Sequence, residues 1–137
     1  MKNRRIRYAA IFAALLIAEI LIGSFLKTGF IRVYAGDILV IPVLYFLIRI
    51  FLPKPTAAVS HFLPAGLFLI GAAAEILQAF DITGRLGIEK DSLLGILMGT
   101  VCDPMDLVCY AAGTLLIFLY LFIEKKLEKE NMKWKKQ

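Results

Sequence analysis

Glu19, Asp37, Glu75, Asp103 and Asp106 sit in or at the ends of long apolar stretches of this chain. A carboxylate at the centre of a membrane helix costs about 2.5 to 3.5 kcal/mol on the insertion scale. A chain that keeps several such groups pairs them, caps helices with them or uses them. Paired acids in a dehydrated space can act as general acid and base, hold a divalent cation, or accept hydrogen bonds from a cationic or hydroxyl-rich group. Glu75 and Gln78 are three residues apart and share a helix face. Asp106, Tyr110 and Gly113 fall at i, i+4 and i+7, one stripe of a helix.

The elements that must position these residues are membrane spans. The 137-residue chain is 60% apolar with a mean hydropathy of +0.77, against roughly 45 to 50% apolar for a soluble domain. Four stretches carry most of this: residues 6–26, 37–52, 60–80 and 104–123. About 20 helical residues cross the hydrocarbon core. The second stretch offers about 15 after Asp37, or roughly 22 Å, which is short of about 30 Å. Its entry segment is therefore expected to dip into the membrane within a protein-lined or wet space. The basic, then apolar N-terminus is like a signal peptide, but the run is too long and no A-x-A-like site follows. The reading is one all-α domain, residues 1–137, with four transmembrane helices and a basic tail at 124–137.

Lys and Arg accumulate on cytoplasmic loops. The N-terminus carries Lys2, Arg4, Arg5 and Arg7, the second connection Arg49 and Lys54, and the tail six lysines. The third connection sets Arg85 and Lys90 against Asp81, Glu89, Asp91 and Asp103. Both termini are then cytoplasmic. In that orientation Glu19, Asp37, Glu75 and Asp106 all fall in the outer parts of their helices. Four helices would bring polar residues to one level, around a cavity open to the outside face.

Local signals place the helix ends. Asp37 after Gly36 reads as an N-cap, with Pro42 near the first turn. Pro53 and Pro55 end the second helix, and Ser60 is placed to cap the third, with Pro64 early in it. Asp103-Pro104-Met105-Asp106 reads as N-cap, N1 proline and acidic N3. Residues 92–101 are apolar, with Gly95 and Gly99 four apart, but reach only about 15 Å as a helix. They are expected to form a short re-entrant or interfacial helix, a lid over the outer end of the bundle. Trp134 in the Lys-rich tail suggests contact with anionic headgroups.

Cys102 and Cys109, seven apart, cannot pair along one helix and read as small packing residues. One His and two Cys give no zinc-like spacing. No cofactor, metal or nucleic-acid partner is expected.

The string Glu75-x-x-Gln78, then Arg85, then Asp106-x-x-x-Tyr110-x-x-Gly113 resembles the VanZ-like family, with Tyr110 where that family usually has Asn. A closer likeness runs through Ile31-Arg32, Gly36-Asp37-Ile38-Leu39-Val40, Tyr45 and Arg49. It continues through Glu75-x-x-Gln78, Leu86-Gly87, Gly99, Asp103-x-x-Asp106 and Tyr110-x-x-Gly113. On these residues the chain resembles a family of small bacterial membrane proteins known as domain-of-unknown-function family 2809. The resemblance implies a fold and a topology and carries no established activity. VanZ is associated with teicoplanin resistance, which points by analogy to the cell envelope.

Three functions compete. The first is a site for an envelope-related polar molecule, a lipid headgroup or a glycopeptide-like ligand, built from Glu19, Arg32, Asp37, Glu75, Gln78, Arg85, Asp103, Asp106 and Tyr110. The acids would meet cationic or hydroxyl groups, and the arginines phosphate or carboxylate. The second is a membrane-embedded acid–base or metal-assisted enzyme. The third is a structural or assembly protein whose buried ion pairs only join helices. Transport would call for a homo-oligomer of so small a bundle.

The topology is testable. A cysteine placed at Glu130 should be labelled by a membrane-impermeant maleimide only after the cells are opened. Labelling of intact cells would reverse the orientation.

Overall fold

A computed structural model describes residues 2–25, 29–54, 56–80, 82–87 and 103–134. Among them there are helices and no strands. Helix α1 runs Lys2–Phe25 and α2 runs Phe30–Phe51. A π-helical turn, Ala58–Phe62, leads into α3, Leu63–Ala79. The short α4 is Ile82–Arg85, and α5 is Pro104–Trp134. Four helices are long and apolar enough to cross a membrane. Many large apolar side chains on them point outward, among them Ile17, Ile20, Leu69, Ile70, Leu115 and Leu119. Such a surface suits lipid and not water. The expected helix over residues 92–101 and the expected tail contact of Trp134 lie outside the described residues and side chains.

Two expected helix starts, and the place of Pro42, are corrected. Helix α2 begins at Phe30, because the chain breaks at Gly29, whose φ of 118° is open mainly to glycine. Asp37 is therefore two turns inside the helix and is no N-cap. The helix has 22 residues, about 33 Å, and is long enough to cross the hydrocarbon core without a dipping entry segment. Pro42 is likewise mid-helix. The third correction is at α3. Thr56 caps it, its Oγ1 accepting the Val59 N–H at 3.3 Å, so Ser60 lies inside the first turns. A proline at position 64 clashes with the carbonyl four residues back. The preceding turn is widened, with the Leu63 N–H bonded to the Ala58 carbonyl five residues back.

Helix α2 is the centre of the bundle. It touches each of the other three long helices, and it supplies buried Ile41, Val43, Tyr45, Phe46 and Arg49. On α1 only Tyr8 is fully buried. The core joins Tyr8, Ile41, Tyr45, Phe46, Leu67 and Ile117. Phe46 meets Tyr45 and Tyr120 edge-on at 5.2 and 5.1 Å, a favoured aromatic geometry.

Pro42 has no N–H, so the Ile38 carbonyl four residues back loses its helical partner. That oxygen lies against Gly113 of α5. A Cβ built there would fall 2.3 Å from the Ile38 oxygen and 3.1 Å from the Pro42 ring. The glycine lets the two backbones meet.

Gly113→Ala should therefore lower the unfolding temperature in detergent, by about 1 to 3 kcal/mol of overpacking. Gly36→Ala, with open space around its Cβ, should raise stability by about 0.4 to 1 kcal/mol. Equal melting of wild type and Gly113→Ala would contradict the close contact.

Candidate functional site

Glu75 lies on α3 and is only 2% exposed. One turn earlier, Gly71 leaves room for the ring of Tyr110, which a Cβ at position 71 would approach to 2.9 Å. The ring rests on α3 there and carries its hydroxyl to Glu75. Tyr110 Oη–H donates to Glu75 Oε1 at 3.3 Å, and the Asp103 N–H donates to Oε2 at 3.3 Å. Both distances are at the long end for such bonds. The carboxylate thus joins the middle of α3 to the start of α5.

Asp103 is the N-cap of α5, as its sequence context predicts. Its Oδ1 accepts the Met105 N–H at 2.9 Å. Asp106 follows in the first turn, where a negative charge faces the positive end of the helix. Asp37 of α2 lies close enough to Asp106 for their carboxyl groups to interact, with Glu75 and Asp103 in the same field. Three helices, α2, α3 and α5, therefore bring Asp37, Glu75, Asp103, Asp106 and Tyr110 together at one end of the bundle.

The other candidates are placed differently. Gln78 is half-buried, one turn beyond Glu75. Glu19 is half-buried on α1, and no described hydrogen bond ties it to the cluster. Helix α1 packs against α2, and among the described residues the acids that interact lie on three helices. Arg85 is exposed at the end of α4, and the side chain of Arg32 lies outside the described ones. Among the described residues, no ion pair reaches the acids. Cys109 is a buried free thiol, and Cys102 is outside the described residues. No group of three or more His, Cys, Asp or Glu among the described residues is arranged to hold a metal ion.

The ion pairs are at the opposite end, where both termini lie. Arg7 pairs with Glu124, and Arg4 with Glu128 at 2.6 Å. Sequence reasoning missed the residue at the heart of this end. Arg49, counted there as a loop charge, is fully buried. Its Nη1 donates to the carbonyls of Leu52 and Lys54 at 3.0 and 2.9 Å, closing the C-terminus of α2. Its Nη2 donates to Tyr8 Oη at 2.6 Å, and the guanidinium lies 4.6 Å from the Tyr8 ring centroid. Tyr8 Oη–H in turn donates to Glu124 at 3.4 Å. A cation near the end of a helix, one turn from the terminal prolines, was the available signal.

Residues 26–114 match the family described as Protein of unknown function (DUF2809). The chain belongs to that family. The DUF2809 match takes in the whole acid cluster, Arg49, Pro42 and Gly113, and stops before Tyr120 and Glu124. No curated protein and no solved structure matches the chain.

Tyr110→Phe keeps the ring over Gly71 and removes one donor from Glu75. It should cost about 1 kcal/mol of stability in detergent. Arg49→Met strands the Tyr8 hydroxyl and two carbonyls, and should cost more, about 1 to 3 kcal/mol for each group left unpaired. Denaturant unfolding of the two variants measures this, and the reverse order would demote the Arg49 network.

Proposed function

We propose that this multi-pass DUF2809 protein resides in a bacterial cytoplasmic membrane with both termini in the cytoplasm. In this reading its acid cluster opens to the outer face. There it binds a cationic or hydroxyl-rich group of an envelope molecule, an amino sugar, a lipid headgroup or a glycopeptide-like ligand. The basic N-terminus and tail meet anionic lipid on the inner face.

The observation that supports the reading is the state of Glu75. It is buried, it shares its surroundings with Asp37, Asp103 and Asp106, and its two described donors are neutral and long. Burying a carboxylate without strong donors or a counter-charge is costly. A ligand ammonium or a set of hydroxyls would supply them. The VanZ-like string from Glu75 to Gly113 supports an envelope ligand by analogy alone. A structural reading also has its own observation, since Glu75 ties α3 to α5 through Tyr110 and Asp103.

Glucosamine and teicoplanin are suitable probes. Either should raise the unfolding temperature of the wild-type protein in detergent, and Glu75→Gln should abolish the rise while the variant still unfolds cooperatively. A lowered melting temperature with no response of the wild type to either probe would favour the structural role. An undiminished response in Glu75→Gln would place the ligand elsewhere.

A further inference from the structure

At the end opposite the acid cluster, Arg4, Ser60, His61 and Lys125 stand around a cavity of about 450 Å3, with Phe118 and Phe122 on its apolar side and the carboxylates of Glu124 and Glu128 also in its lining. That size falls within the range of small-molecule sites, roughly 300 to 1,000 Å3. Its position is set by three changes of composition. On α5 the apolar run ends at Ile123 and charge begins at Glu124. On α1 charge gives way to apolar residues after Arg7, and on α3 after His61. The cavity therefore straddles the level where hydrocarbon meets headgroups, with its two phenylalanines on the apolar side and its polar rim on the wet side.

The rim has cationic capacity that the chain does not use. Arg4 Nη2 is bonded to Glu128, but Nη1 is a buried atom with no hydrogen-bond acceptor among the described residues. It lies 3.9 Å from Glu124, beyond hydrogen-bonding distance. Glu124 is already engaged by Arg7 and by the Tyr8 hydroxyl. Lys125 takes part in no described ion pair, and His61 is exposed at the rim. With Arg7 counted against Glu124 and Arg4 against Glu128, Lys125 is left in excess. Ala57, just before the π-helical turn that leads into α3, also lines the cavity, and a helix N-terminus favours an anion.

We infer that this cavity binds a phosphate group, carried by a phospholipid whose glycerol and upper acyl chain lie on Phe118 and Phe122. Arg4 and Lys125 bind the phosphate oxygens, and Ser60 and His61 add neutral donors. The site is distinct from the acid cluster in place and in charge, and it stands whether or not that cluster binds a ligand.

Native mass spectrometry of the purified full chain in detergent tests this, with dioleoyl phosphatidylglycerol, dioleoylglycerol or inorganic phosphate added in turn. One phosphatidylglycerol per chain should be retained, and dioleoylglycerol should not. Lys125→Gln should weaken retention by about tenfold, the loss of one charge-assisted hydrogen bond. Ala57→Phe fills the cavity from an exposed position and alters no charge, and it should also reduce retention about tenfold if the site has this volume. A general attraction of lipid to the basic tail would not respond to Ala57→Phe. Thermal protection by inorganic phosphate alone, lost in both variants, would assign the same site to a soluble phosphate. Equal retention of dioleoylglycerol, or wild-type retention in both variants, would overturn the inference.

Discussion

The contact on which the rest of this bundle depends is the approach of α2 and α5 at Pro42 and Gly113. A proline in the middle of α2 frees the Ile38 carbonyl, and a glycine in α5 lets that carbonyl come against its backbone. Neither half works alone. Without the glycine, a side chain would hold the helices apart. The two helices run in the same direction, so this one point sets the register along both. On one side of it Asp37 meets Asp106. On the other side Phe46 meets Tyr120, and further on Arg49 and Tyr8 meet Glu124. A shift of one residue along either helix would rotate its partners by about 100° and dissolve both polar ends.

Charge is sorted between those ends. The acids converge where α5 begins, with the N-terminal amides of that helix near them. The arginines converge where α2 ends, and one of them binds the last carbonyls. Asp103 and Asp106 at the start of α5 and Arg49 at the end of α2 each face the helix terminus that favours their sign. Arg49 is buried without touching a carboxylate. Its charge is met by two carbonyls, a tyrosine hydroxyl and the face of the Tyr8 ring. That arrangement offsets desolvation with several moderate interactions and keeps Glu124 available for Arg7.

The tyrosines work at both ends in the same way. Tyr8 and Tyr110 each place an apolar ring in a helix contact and send a hydroxyl to an acid, Glu124 and Glu75 respectively. An amphipathic ring suits a bundle whose interior must be apolar in the middle and polar at its rims. The lipid-facing surfaces need no such care, and they carry Leu, Ile and Phe with little internal packing.

Much of this was legible in the amino-acid sequence. Long apolar runs fixed the number of spans, because an unpaired backbone cannot cross lipid except as a helix or a closed barrel. The Asp103-Pro104 cap was readable because its interactions are local. The i, i+4 spacing put Asp106 and Tyr110 on one face of α5. Three things were decided only by tertiary structure. The start of α2 moved from Asp37 to Phe30, since lipid and neighbouring helices favour continued hydrogen bonding through Gly36 over an early cap. Pro42 became an interior contact and not an entry residue, because Gly113 accepts its displaced carbonyl. Arg49 left the expected loop for the core, because the partners that offset its burial come from α1 and from the chain beyond α2. Local chemistry is written in neighbouring residues. Which distant groups meet depends on how helices cross, and no single helix carries that information.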